Sequence, residues 1–236
     1  LWVFRERISA AGGADALFDA VQRQLQQHGF IARGGQIVDA TLVEAPKQHF
    51  HKEEKVLLEQ AATPADWTPA QRRQKDTEAS WTKKHGKSYH GYKLSISADR
   101  KYKLIRKRHI STAKEHDTNH FEAVLDRANT SRDVWADKGY DDQSREQRLN
   151  QGSWRLHIQH KAKKGKPPSD CQKRRNTRIA RPRARVEHVF GSICAMGGKA
   201  IRSIGLARAV FGLSIKAAVY NLRRLCSLKA SGVVPI

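Results

Sequence analysis

The run Gln36-Ile37-Val38-Asp39-Ala40-Thr41-Leu42-Val43 constrains the fold most, because it has the apolar character of a buried strand and yet carries a carboxylate. An ionised group inside such a strand needs a partner, so the strand is expected to border a site of polar chemistry. Two further acids have equally specific settings. Asp137 follows the apolar Val134-Trp135-Ala136 and precedes Lys138-Gly139-Tyr140-Asp141, which places it at a strand tip where a glycine lets the chain turn. Glu187 lies among Val186, Val189, Phe190 and Ile193, which recur at helical spacing, so the third acid is expected on a helix.

The remaining pattern predicts one α/β domain. Leu17, Val21 and Leu25 recur four residues apart and Gly29 follows, the mark of an amphipathic helix with a glycine stop before the Asp39 strand. Between 44 and 80 apolar residues thin out while Pro46, Pro64, Pro69 and many charges appear, so an exposed, partly mobile, irregular insertion is expected there. Tyr92, Leu94, Ile96 and Ala98 alternate with polar residues, Asp99-Arg100 marks a turn, and Tyr102 to Ile110 resumes as a basic strand. Phe121, Val124 and Leu125 predict a crossover helix leading to the Asp137 strand. A helix over Gln143 to Leu149, a short strand at Leu156-His157-Ile158 and one or two helices from Leu206 to Leu228 complete the order β, β, β, α, β, α, β, α.

Charge narrows the partner. Forty-five Lys and Arg against 23 Asp and Glu give a formal charge of +22, the electrostatic footprint of a polyanion partner, with nucleic acid foremost. No apolar run approaches the roughly 18 residues of a transmembrane helix and no secretory signal opens the chain, so a soluble, cytoplasmic, nucleoid-associated protein is expected. Cys171, Cys194 and Cys226 form no close-spaced pair, and His109, His116 and His120 lack the spacing and cysteines of a zinc site.

Asp39-Ala40-Thr41, then Asp137-Lys138-Gly139-Tyr140, then Arg183 four residues before Glu187, resemble the three-part signature of bacterial insertion-sequence transposases of the Asp-Asp-Glu type, in the insertion sequence five group. Trp81 to Lys93 is similar to that family's stretch before the second strand, and Tyr220-Asn221-Leu222-Arg223-Arg224-Leu225 to its last helix, so the likeness covers nearly the whole chain. It implies a ribonuclease H-like fold, a mixed sheet flanked by helices with an irregular insertion after the first strand. The expected division is a helical lead-in over 1–35, the remnant of a missing N-terminal region; a catalytic domain over 36–228; and a C-terminal tail over 229–236. An opening at Leu1 rather than Met agrees with a chain that begins inside a longer protein.

The resemblance also implies an enzyme that cuts DNA at the ends of an insertion sequence and joins the free 3′-hydroxyl to target DNA, acting as a homo-oligomer on DNA. Two divalent cations about 3.5–4 Å apart can activate the attacking oxygen and stabilise the leaving one, and carboxylates must hold them. Asp39 would bridge both ions, Asp137 bind one and Glu187 the other, with Mg²⁺ favoured by hard oxygen ligands and Mn²⁺ a substitute. The alternatives are a nuclease that cuts without joining and an inactive basic DNA-binding remnant.

From Arg155 to Arg185 twelve Lys and Arg face one acid, Asp170, which makes Lys161, Lys163, Lys164, Lys166, Lys173, Arg174, Arg175 and Arg183 candidate DNA contacts beside Lys138 and Tyr140. The same run also reads as a solvated basic loop. Trp154 ahead of it reads as a core residue or as a platform for a flipped base, and Tyr140 is open in the same way. Two positions depart from the family pattern, Ala180 where a tyrosine is expected and Cys194 where a lysine is expected, so the DNA contacts attributed to them do not carry over.

Overall fold

The computed structural model describes residues 2–60, 62–161, 165 and 167–235. Helices α1 (Trp2–Ala10) and α2 (Gly13–Gln27) precede strand β1 (Gln36–Glu44). Phe18, Val21 and Leu25 are the buried stripe of α2, and Gly29, at φ 76°, stops it in the left-handed conformation that glycine adopts without cost. The segment after β1 carries two short helices, α3 (Lys52–Glu59) and α4 (Pro69–Gln74). It is thus less irregular than its proline and charge content predicts. Phe50 and Trp67 are buried within it, and Glu54 accepts hydrogen bonds from Trp67 Nε1 at 2.6 Å, Lys75 Nζ at 2.6 Å and the His51 amide at 2.7 Å. Asp76 ties this insertion to the main fold, accepting from Tyr92 Oη at 2.8 Å and from the Gly205 amide at 3.1 Å.

Strands β2 (Ser80–Lys84), β3 (Lys87–Asp99) and β4 (Ile105–Thr112) follow. Beyond the expected β3–β4 hairpin there is a second one, β2–β3, closed by His85 and Gly86 with φ of 50° and 78°, the two positive values that a tight hairpin turn requires. Gly91 of β3 pairs with Glu44 on one side and Ser80 on the other. A side chain there would bring its Cβ within 2.2 Å of the Val43 carbonyl, so only glycine fits.

Next come a 3₁₀ turn (Asp117–His120), β5 (Asp133–Ala136), a 3₁₀ turn (Lys138–Tyr140), α5 (Gln143–Gln151), β6 (Arg155–Ile158), α6 (Asp170–Arg183), α7 (Arg185–Ala195) and α8 (Leu206–Ala230). The expected helix over 121–125 is a correction: the residues are buried as predicted, but in turns. Backbone turn bonds close there instead, from the Val124 amide to the His120 carbonyl at 3.3 Å and from the Leu125 amide to the Glu122 carbonyl at 3.2 Å, and side-chain bonds fix the segment that follows. The Asp126 carboxylate accepts from the Ala128 amide, and Asn129 both accepts from the Gly35 amide at 3.1 Å and donates to its carbonyl at 3.0 Å. A second correction concerns the basic run after β6, much of which is the helix α6 rather than loop. Ser169 caps it in a reciprocal box with Gln172. Lys163, Lys164 and Lys166 lie outside the described residues.

The sheet runs β2-β3-β1-β5-β6, with β4 on β3. β1 is antiparallel to β3 and parallel to β5, and β5 is parallel to β6. Ile37, Val43, Leu94, Ile96 and Ala98 pack one face against α2, α7 and α8. Val38, Val134, Ala136, Leu156 and Ile158 pack the other against Phe121, Val124, Tyr140, Leu149 and Trp154. The result is a ribonuclease H-like mixed sheet between helical layers.

Candidate active site

In the parallel register of β1 and β5, Gln36 lies opposite Val134 and Ile37 opposite Trp135. Continued by two residues, this register brings Asp39 level with Asp137, just past the end of β5. Burial sets Asp39 on the face that α7 and α8 cover, in line with the core residues Ile37 and Val43. Its Oδ1 accepts from the Ala40 amide at 2.8 Å, and its Oδ2 from Arg183 Nη1 at 3.2 Å. The same guanidinium stands 3.8 Å from Glu187 Oε1, one helical turn further on. Arg183 therefore links the first acid to the third.

This bridge depends on how α6 meets α7. Pro182 removes one amide from the last turn of α6, the helix breaks at Ala184, and α7 restarts at once with Val186, Val189 and Ile193 buried against the sheet. Burying those three side chains stabilises the α7 contact by about 1.5–3 kcal/mol each. Glu187, on the opposite side of the helix, is 68% exposed, whereas Asp39 is 20% exposed.

Electrostatics distinguish the acids. Burial, opposed by the Ala40 amide and by Arg183 and reinforced by the charge of Asp137, pushes the Asp39 carboxyl up to about 6. Asp137 accepts from the Lys138 amide at 2.6 Å and so caps the following 3₁₀ turn. Among the described residues no group of three or more His, Cys, Asp or Glu side chains is drawn together closely enough to hold a metal ion. The physical reason is visible: three carboxylates repel one another, and Arg183 supplies the positive charge between Asp39 and Glu187. The donor set nonetheless suits a hard divalent cation, because a carboxylate raised by burial, and further by a neighbouring carboxylate, is the arrangement that such a charge relieves.

Among the predicted DNA contacts, Lys138, Lys161, Lys173 and Arg174 are exposed. Arg175 is partly committed, donating to the Ile158 carbonyl at 2.9 Å. Tyr140 differs from expectation. It is 3% exposed and packs on Phe121 with ring centroids 5.3 Å apart, so it supports the Asp137 turn from within the core and offers no stacking surface. Trp154 is likewise a core residue, with the Arg132 guanidinium 5.0 Å over its ring.

The surroundings of Asp39 were less evident in sequence. A groove of about 270 Å³ runs beside Asp39 along Ala40, Thr41 and Leu42, with Lys84, Lys93 and Asp117 on its walls. The Lys84 charge lowers the Asp39 pKa, and Lys93 Nζ pairs with Asp117 Oδ1 at 2.9 Å. The signal was the lysine-rich hairpin around residue 84, which only the fold carries to the first acid.

Residues 32–222, which include all three acids, match the family described as Transposase DDE domain. The chain is 29% identical over 217 residues to the transposase for insertion sequence element IS1106 of Neisseria meningitidis serogroup B, an alignment spanning 89% of this chain and 69% of that protein. No solved structure matches. A mixed sheet with one acid in a strand and a second just past the end of the adjacent parallel strand, a third acid on the helix beside them, and a family match over most of its length lead to one conclusion: the chain belongs to the transposase DDE domain family.

Proposed function

We propose that the chain cuts DNA at the ends of an insertion sequence and joins the freed 3′-hydroxyl to target DNA, with Asp39, Asp137 and Glu187 as the catalytic acids. The observation that carries this reading is the parallel register that sets Asp39 beside Asp137, together with the Arg183 link from Asp39 to Glu187. The three carboxylates would hold a pair of Mg²⁺ or Mn²⁺ ions. When bound, such ions supply acidification of the attacking hydroxyl and neutralisation of the leaving oxygen.

The chain's own groups do the rest. Arg183 keeps Asp39 ionised in a buried setting and holds α7 in register with the sheet. On metal loading it is free to turn from the carboxylates to a phosphate, for which its planar fork is suited. The groove lined by Lys84 and Lys93 receives the strand leading to the scissile bond, and α6 presents Lys173 and Arg174 to the flanking backbone. Assembly as a homo-oligomer on the DNA belongs to the same proposal.

The test is cleavage and joining of a labelled duplex carrying the element's own ends, with Mg²⁺ or Mn²⁺, comparing the chain with its Asp137→Asn variant. Metal-dependent cleaved and joined products that vanish in the variant are expected. Cleavage without joined products would mean a nuclease, and salt-sensitive binding indifferent to metal and to all three acids would mean a DNA-binding remnant.

A further inference from the structure

About 100° around α7 from Glu187, the β3–β4 turn and α8 enclose a cleft of about 370 Å³ that the acidic site does not use. Its walls include Lys103, His188, Ser192, Tyr220, Arg223 and Arg224, and no Asp or Glu is among the described residues that line it. Arg185, at the start of α7, adds a further cation whose field reaches Lys103.

The turn that carries Lys103 is built for this position. Lys103 sits at φ 60°, a left-handed conformation that side chains other than Asn, Asp or Gly seldom take. The strain is held by fixed contacts. Tyr220 Oη donates to the Lys103 carbonyl at 2.7 Å, the Lys103 amide bonds to the Asp99 carbonyl at 3.0 Å, and the Asp99 carboxylate accepts from the Tyr102 amide at 2.6 Å. Arg224 is pinned as firmly, its Nε donating to the Tyr102 carbonyl at 2.8 Å. Strain over-determined by its surroundings is a feature of ligand clamps.

The cluster is electrostatically unbalanced. Burial, then the charges of Arg224 and Arg185, hold the Lys103 ammonium below its ordinary pKa. Among the described residues neither the Lys103 ammonium nor the Arg223 guanidinium has a carboxylate or hydrogen-bond partner. Cations gathered in a half-buried cleft repel one another unless an anion with several acceptor oxygens joins them, and a phosphodiester matches both a lysine point charge and an arginine fork.

Successive residues of a helix project about 100° apart, so His188 turns from the Glu187 side of α7 toward this cleft. Only the width of α7 therefore separates the third acid from the cleft. We propose that the cleft clamps a backbone phosphate of the bound DNA through Lys103, Arg223 and Arg224. This assignment rests on the DNA reading above and gives that DNA a second anchor beside the one on α6.

The test is the salt dependence of binding to a labelled duplex carrying the element end. In the double variant Lys103→Gly, Arg223→Gln, the glycine relieves the left-handed strain and Arg223 is exposed, so the fold is retained; thermal unfolding checks this. Loss of the clamped phosphate makes the log-log slope shallower by about 0.9, the change per phosphate contact on duplex DNA, with weaker binding on every sequence. Lys103→Arg keeps the charge and retains the slope. An unchanged slope in the double variant, with the parent chain still binding DNA, overturns the clamp and leaves the DNA reading standing. If the parent chain binds no DNA, both fall. If the double variant loses only inorganic phosphate, followed by ³¹P line broadening, with the DNA slope unchanged, the cleft is a small-anion site and the DNA assignment is overturned.

Discussion

Asp39 is the residue at which stability and chemistry pull apart. Its folded pKa, about 6, lies above the ordinary 3.8, so the native state binds the proton more tightly than the unfolded chain does. The stability this contributes is complete below about 3.8 and is lost as the pH rises through about 6. At roughly 1.4 kcal/mol per pKa unit, the ionised carboxylate costs the metal-free protein about 1–3 kcal/mol at neutral pH. Asp39→Asn, in chelator, is therefore expected to raise the unfolding free energy at pH 7.5 by about that amount and to flatten the decline between pH 4 and 7, followed by urea titration. Lower stability at both ends of that range would show that the contacts with Ala40 and Arg183 outweigh the burial. The strand setting of Asp39 was legible because one carboxylate interrupts an otherwise apolar run. Its contact with Arg183 was not, since 144 residues separate them and no local pattern reports a tertiary ion pair. The burial of Tyr140 was not legible for a related reason: a turn has no periodicity to say which way a ring faces.

Elements with a clear apolar period, such as α2, the β3–β4 hairpin and α7, were legible; those whose shape is decided by side-chain to backbone bonds were not. The segment that follows the 121–125 turns and the capping box that starts α6 both rest on Asp, Asn or Ser at positions where hydropathy is silent. α7 illustrates the first kind. Ile193 is 1% exposed, and Ile193→Ala is expected to cost about 2–5 kcal/mol by urea unfolding, because the cavity faces a sheet that cannot close over it. A cost under 1 kcal/mol would mean that α7 is only loosely docked. The insertion illustrates the second kind. Lys75 above all, with the His51 amide and Trp67 Nε1, outweighs burial and holds the Glu54 carboxyl down at about 2. Its contribution to stability is present above the ordinary 4.5 and is lost as the pH falls toward about 2. Glu54→Gln should thus destabilise the protein at pH 7 and make its stability less dependent on acid between pH 4.5 and 2. Equal acid sensitivity in the variant and the parent would show that the Glu54 contacts do not hold the insertion together.

At the scale of the whole molecule, a formal charge of +22 on 236 residues means that the fold is assembled against its own field. Surface ion pairs offset little of this: Lys173 with Asp170, and the exposed Arg155 with the part-buried Asp133, are of the kind that contributes about 0–1 kcal/mol. Screening should therefore stabilise the protein, since the Debye length shrinks from about 30 Å at 0.01 M salt to about 8 Å at 0.15 M and removes mainly the longer-range repulsion. The melting temperature is expected to rise by several degrees over that range, and to rise further when duplex DNA is added at constant ionic strength, because a ligand that binds only the folded state stabilises it by mass action. Differential scanning calorimetry at the two salt concentrations, with and without duplex, measures both effects. A melting temperature that falls with salt would mean that specific ion pairs outweigh the net field. A rise with salt but none with DNA would separate ordinary screening from the polyanion site, and would locate the excess charge in repulsion alone rather than in a surface shaped to receive a backbone.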